Sequence, residues 1–461
     1  MKYQEIKDLA KEQKVRVTDL LALAPQNDPF YTGSPATVEA AEWFRELWER
    51  FGFVDGVHLR RVHYRLVSQD APTMPNGETY SNTEECWSFL CGAGKYARSL
   101  GLVPADGFVD RRNPDPHVKV EGRGYDYYTQ PAVDLQPPSW EVPAITADLG
   151  EITWQLPNPY VNGFEFDRNF DQPYHVELWI EKSTMDDVLE PLAEDLGINY
   201  CTSLGFQSIT SVVSLLKRIE KRGKPGRILY ISDFDPAGDG MPVAVARQIE
   251  FWREQYAPDA EIVLQPIALT REQVREYRLP RIPVKESDLR KAHFEERYGE
   301  GAVELDALEA LHPGSLARII RTAIEPYRDL NIGRRIRRAY SAARDVAESK
   351  WSRNTQDERR DLDELISRAA AIVEFYDGEL SGLRDKLAAE MEPIQKRLND
   401  IRNEVERRIE EYQEDIADDL PERPVADENP PDESEVLFDS RRDYTEQMLV
   451  YKARQNSGTA E

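Results

Sequence analysis

The stretch ILYISDFDPAGDGM (residues 228–241) places Asp233 and Asp235 one residue apart, directly behind a run of strand character. Upstream, HVELWI (175–180) reads as another strand and ends on Glu181. Carboxylates gathered at strand ends repel one another unless a cation sits among them. An all-oxygen set of this hardness suits Mg²⁺, with Mn²⁺ as a substitute. Glu181, Asp233 and Asp235 are therefore the candidate metal ligands. A second group lies in LRRVHYRL (59–66). At helical spacing Leu59, Val62 and Leu66 form the buried face, and Arg60 and Tyr64, four residues apart, share a different one. A phenol held beside guanidinium groups can meet a phosphate, and its phenoxide is stabilised there.

Two other chemistries compete for the aspartate pair. D-x-D-x-x-G also opens a calcium loop of the EF-hand kind. Here Ala237 replaces the fifth-position ligand, Ala244 stands where the closing glutamate belongs, and a strand precedes the loop. The plainer alternative is that the aspartates cap the following helix, which needs one acid, not two with a glutamate upstream.

The elements that would carry these residues alternate. After HVELWI comes TMDDVLEPLAEDLG, an amphipathic helix closed by Gly197, then the strand INYCTSL. SITSVVSLLKRIEKRG is a second helix, RILYIS a third strand, followed by a helix from about Gly240 to Trp252 and the strand EIVLQPIAL. Such alternation implies a parallel sheet with helices on its faces, where functional groups collect at the carboxyl ends of the strands.

Around this α/β region, residues 1–125 read as mainly helical, and 126–171 turn rich in proline and aromatics, as a linker or short strands. The α/β region with its extension spans 172–333. A long charged helical or coiled-coil region covers 334–413, with Leu380, Leu383, Leu387, Met391, Ile394, Leu398, Ile401, Val405, Ile409 and Tyr412 stepping by threes and fours. Pro393 predicts a kink or break there. The run fits either a dimer coiled coil or a helix packed on its own domain. Residues 414–461 open with ten acids against one arginine up to Glu435, which predicts a disordered tail.

A glutamate followed by lysine after the first strand, then DFDPAG after the third, resembles a Toprim domain over roughly residues 172–260. The proline directly after the second aspartate is most similar to the A subunit of type IIB topoisomerase (topoisomerase VI) and its meiotic double-strand-break relatives. The resemblance implies an α/β Toprim domain preceded by a winged-helix domain. It implies Mg²⁺ on Glu181, Asp233 and Asp235, Lys182 at a phosphate, and Tyr64 as nucleophile with Arg60 beside it. His63 departs from the pattern, standing where that family has Phe or Tyr. The implied reaction is transesterification on double-stranded DNA by a homodimer, leaving a 5′-phosphotyrosyl link, with tyrosine and metal from different protomers. No Walker-type signature appears in the chain, so strand passage would need a separate ATPase subunit. A hydrolytic Toprim nuclease, like those of plasmid-defence systems, and a non-catalytic DNA-binding or assembly protein remain alternatives.

Charge narrows the classes further. A formal net charge of −26 argues against passive adhesion to nucleic acid or anionic membranes. Contact with DNA must then come from local clusters: Arg60, Arg61 and Arg65; Arg111 and Arg112; Arg334, Arg335, Arg337 and Arg338. The three cysteines, Cys86, Cys91 and Cys201, fit neither a disulfide framework nor a zinc knuckle. No signal-peptide pattern or membrane-length apolar run is present, which predicts a cytoplasmic protein.

Overall fold

The computed structural model describes residues 2–110, 113–122, 130–140, 152–203, 205–376, 384–428 and 430–456. The N-terminal helices are α1 (Tyr3–Gln13), α2 (Pro35–Arg50), α3 (Leu59–Val67) and α4 (Glu84–Ser99). Four short strands follow: β1 (Ala132–Asp134), β2 (Ser139–Trp140), β3 (Trp154–Gln155) and β4 (Tyr160–Asn162). The alternating region runs β5 (His175–Ile180), α5 (Asp186–Leu196), β6 (Asn199–Thr202), α6 (Ile209–Arg222), β7 (Gly226–Ile231), α7 (Pro236–Tyr256) and β8 (Ile262–Ala268). Beyond it come α8 (Arg271–Glu276), α9 (Lys291–Tyr298), α10 (Leu305–Leu311) and α11 (Ser315–Ile324). The last elements are α12 (Ile332–Asn354), α13 (Gln356–Tyr376), α14 (Arg384–Ala417), β9 (Phe438–Asp439) and α15 (Tyr444–Asn456).

Two compact units result, one of residues 1–123, 172–329 and 427–461, the other of 124–171 and 330–426. The first is built on a five-stranded sheet of order β6-β5-β7-β8-β9, parallel except for β9. Every residue of β5, β6 and β7 is buried, as expected for parallel strands covered on both faces. The helices end where the glycines predict: Gly197 and Gly223 close α5 and α6 in the left-handed region, at φ 60° and 65°.

At the centre of this sheet Glu177, fully buried, accepts both Nε (2.7 Å) and Nη2 (2.8 Å) of Arg218 from α6, and bonds His175 Nε2 (2.8 Å) and Trp179 Nε1 (3.0 Å). Burial alone would raise its pKa, but the Arg218 guanidinium overrides that and holds the carboxyl below the usual range. Replacing Arg218 by Met strands that charge in the core. The expected loss is about 3–5 kcal/mol of unfolding free energy. Urea denaturation measures it, and a loss below about 1 kcal/mol contradicts the assignment of Glu177 as ionised.

The segment 414–461, expected to be a disordered tail, is ordered over most of its length. β9 pairs with β8, and Val436, Leu437, Phe438, Met448 and Tyr451 are buried. Arg247 of α7 explains the docking: its guanidinium bonds Asp28, Glu250 and the Tyr444 hydroxyl. Glu433, one of the ten acids that suggested disorder, is buried on Arg227 at 2.6 Å.

The second unit decides two more expectations. Of the two readings of residues 126–171, the short strands hold and the linker does not: β1 pairs with β4 and β2 with β3, and Val133, Leu135, Leu156, Val161 and Phe164 enter its core. (Residues 126–129 and 141–151 lie outside the described residues.) Of the kink or break expected at Pro393, the break is absent: α14 runs as one helix from Arg384 to Ala417. Its seam residues Leu387, Met391, Ile394, Leu398, Ile401, Val405 and Tyr412 are buried with Ile336, Ala343, Ala347 and Trp351 of α12 and Leu362, Leu365 and Ala369 of α13. Leu380 and Leu383 lie outside the described residues. Over the described residues the seam is therefore buried inside its own unit, as in the reading of a helix packed on its own domain. Among the described residues no helix is long and apolar enough to cross a membrane.

Candidate functional site

Register brings the carboxylates together. β5 and β7 pair in parallel with Ile180 opposite Ile231, and the Glu181 main-chain N–H donates to the Ile231 carbonyl at 3.2 Å. Glu181 thus leaves the sheet beside Asp233, at the carboxyl edge where an α/β fold presents its ligand-binding groups. The DPAG sequence does the rest. Asp235 caps α7, accepting from Gly238 N–H at 2.6 Å, and Pro236 supplies the first helical φ without a wasted donor. α7 consequently starts at Pro236, four residues before the expected Gly240. Gly238 is required there, because a Cβ would fall 2.0 Å from the Asp233 carbonyl.

The acids are unequal. One Glu181 oxygen, Oε2, is buried with no hydrogen-bond partner. Burial, and then the negative charges of Asp233 and Asp235, push the Glu181 carboxyl up to about 7. Burial also raises Asp233, opposed by the Leu305 main-chain N–H (2.7 Å to Oδ1) and by Lys182. Asp235 Oδ1 serves the helix cap.

Lys182 sits among carboxylates. Its Nζ lies 3.1 Å from Asp233 Oδ2, 3.2 Å from Glu304 Oε2 and 2.6 Å from Asp306 Oδ2. Burial would lower its pKa, but the bond to Asp306 and the charge of Asp233 carry it upward. Lys182 is the internal cation of the cluster. Glu304 and Asp306 had no signal in the sequence beyond their place at the start of a short helix, some seventy residues past Asp233. A bridge between Phe234 and Val303 brings them in.

The residues fit a hard divalent cation in part. The orphaned Glu181 oxygen and the mutual repulsion recorded at Glu181 are what a missing positive charge leaves behind. Yet among the described residues no three acidic, histidine or cysteine side chains stand arranged to hold an ion. Asp233 is turned to Lys182 and Leu305, so coordination by all three acids requires side-chain rearrangement.

That electrostatic field has a pH signature. Since folding raises the Glu181 pKa above the ordinary carboxylate value, its protonated form favours the fold. The contribution is complete below about pH 4.5 and is lost as pH rises through about 7. Urea unfolding in metal-free buffer from about pH 5 to 8 should show wild type losing stability relative to Glu181→Gln, which has no such proton to release. Parallel curves for the two proteins would refute the crowding of these acids.

Tyr64 and Arg60 lie on α3, in a cluster with α2 and α4 that has its own core and a tight hairpin, Thr73 opposite Thr79, between α3 and α4. Of the predicted buried face Val62 and Leu66 are buried and Leu59 is half-buried, while Arg60 and Arg61 are exposed and Tyr64 is 59% exposed. His63 is a core residue, its ring nitrogens bonded to the Tyr80 hydroxyl (2.7 Å) and Asn82 Oδ1 (3.1 Å). It fills an aromatic position and leaves the neighbouring phenol outward. Arg65 is structural, donating to the Phe51 carbonyl at 2.8 Å. Tyr64 is exposed on α3, whose Val62 and Leu66 join one hydrophobic core, while Phe234 beside Asp233 joins another, and among the described residues no hydrogen bond or ion pair joins Tyr64 to the carboxylates. Of the other arginine clusters, Arg111 and Arg112 lie outside the described residues. Arg334, Arg337 and Arg338 are exposed on α12, while Arg335 bonds the Val425 carbonyl.

No protein-family model matches this chain, and no curated protein matches it.

Proposed function

We propose that this protein cleaves double-stranded DNA with Mg²⁺ (Mn²⁺ as a substitute), as a Toprim-type protein related to the A subunit of topoisomerase VI, acting in the cytoplasm. The observation that carries the reading is the meeting of Glu181 with Asp233 and Asp235 at adjoining strand ends, with one Glu181 oxygen left unpartnered. Glu181, Asp233 and Asp235 would hold the ion, which when bound neutralises charge on the phosphodiester under attack. Lys182, kept protonated by its carboxylate neighbours, sets the charge of Asp233 and keeps the cluster folded before substrate arrives.

In the proposed reaction the Tyr64 oxygen attacks phosphorus and the phenol gives up its proton. The bond from phosphorus to the 3′ oxygen breaks, that oxygen leaves as a 3′-hydroxyl after taking a proton, and the 5′ phosphate stays on the tyrosine. Exposure of Tyr64 beside Arg60 and Arg61, on a winged-helix-like cluster, supports this role. A homodimer supplies tyrosine and metal site from different protomers, and a separate ATPase subunit would be needed for strand passage. The second reading is hydrolysis by water at the same carboxylates. It is favoured by one observation, the seam of α14 that is buried within its own unit and leaves the dimer without that support.

Supercoiled plasmid incubated with the purified chain tests the shared core of both readings. Nicked or linear product is expected with Mg²⁺ and none with EDTA. Binding without cleavage under every metal condition would instead favour a DNA-binding or assembly role.

A further inference from the structure

In the second unit, α12 opens with Arg334, Arg335, Arg337 and Arg338, and its first turn holds no acid. The opposite face of the helix is fixed in that unit's core. Ile332, Ile336, Ala343 and Ala347 are buried, and the Phe166 ring lies so close to Gly333 that a Cβ there would fall 2.8 Å from it. Arg335 is tied down, donating to the Val425 carbonyl at 2.8 Å. The other three arginines are exposed, and among the described residues their side chains have no hydrogen bond or ion pair. The next acids along the helix do not answer them: Asp345 and Glu348 lie beside Arg344. Elsewhere on the same unit, exposed guanidiniums are matched, Arg360 to Asp357, Arg397 to Asp361 and Arg407 to Glu404. The α12 arrangement is unfavourable by itself. Arg334 stands three residues from Arg337 and four from Arg338, so like charges repel along one helix face. Cations in a first turn also oppose the helix dipole. Three guanidiniums over about 6 Å of helix thus stand without an anion, in a chain of net charge −26.

We propose that this face of α12 binds the backbone of duplex DNA, with Arg334, Arg337 and Arg338 each meeting a phosphate, as a contact made by the second unit and not by the carboxylates. A planar guanidinium can give two parallel bonds to phosphate oxygens. Such contacts position a duplex without reading its bases. A helix anchored by its buried face holds the three cations in a fixed row, so little order is lost when the anion arrives. The choice of DNA over an acidic protein as the polyanion rests on the cleavage reading above.

The test is binding of a fluorescein-labelled DNA duplex to the full chain in EDTA, where no cutting intervenes, read by anisotropy across a salt series. Arg334→Gln/Arg337→Gln/Arg338→Gln should weaken binding and make the slope of log Kd against log salt shallower by about 0.9 per lost contact, about 2.7 for all three. Its urea midpoint should not fall, because no partner is lost and repulsion is relieved. Arg360→Gln/Arg397→Gln/Arg407→Gln removes the same charge from guanidiniums already paired with acids, and should leave the slope unchanged. An unchanged slope in the first variant, or an equal change in the control, overturns the surface. So does a lower urea midpoint in the first variant, which would give these arginines a structural role, or no duplex binding by wild type, which would leave an acidic protein as the occupant. If the slope depends on Arg334, Arg337 and Arg338 in a protein that cuts no DNA with any metal, the surface stands and the cleavage reading fails. If wild type cuts and the slope ignores them, the reading stands and the surface fails.

Discussion

Asp235→Asn should lose Mg²⁺-dependent cleavage by at least about 10²–10³-fold, the scale seen when one electrostatic stabiliser leaves an active site. The fold should be untouched. Asp235 has two separable jobs: it caps α7 through Gly238 N–H, and it contributes charge to the carboxylate group. Asparagine caps a helix as well as aspartate does, so only the charge is lost. Asp235→Ala loses both, and should cost an additional 0.5–2 kcal/mol or so of stability. Plasmid cleavage and urea unfolding of the two variants separate the roles. If Asp235→Asn cuts at the wild-type rate, the aspartate is a cap and nothing more, and the metal reading falls with it.

That duality shows what the sequence could and could not carry. Strand–helix alternation was legible because the strands are short, largely apolar runs and because α5 and α6 end on glycines in the left-handed region. The convergence of Glu181 with Asp233 followed from the parallel order of their strands, a property of the whole sheet that local pattern already implies. The partners of Lys182 did not follow. Glu304 and Asp306 reach it through a bridge between residues 234 and 303, and no periodicity encodes such a contact. The C-terminal segment misled for a different reason. Its acids and prolines look unfoldable when averaged, but Glu433 is matched individually to Arg227. Composition cannot register a pairing across two hundred residues. On α14 the heptad-like spacing was real and its partner was not specified: a seam looks the same whether the facing helix belongs to the same chain or another.

Tyr64→Phe decides how the phosphodiester is attacked. The ring stays, and the phenol of wild type is exposed with no hydrogen bond among the described residues, so stability should change by less than about 0.5 kcal/mol. DNA affinity should also persist, because Arg60 and Arg61 remain on the same exposed surface. Cleavage should disappear, and with it any protein–DNA adduct that survives denaturant and carries the 5′ end. The chemistry leaves no substitute: His63, the nearest nucleophile along the helix, is buried with both ring nitrogens engaged. If instead the variant cuts at nearly the wild-type rate and leaves free phosphate ends, water is the nucleophile and the protein is a hydrolytic nuclease. The metal site would survive that result. The dimer would lose its purpose, since a tyrosine supplied by one protomer to another's carboxylates is the one feature of the reaction that requires two chains. Light scattering on the same samples, with and without DNA, then reports the matching mass: twice 53.0 kDa for transesterification in trans, once for hydrolysis by a self-sufficient chain.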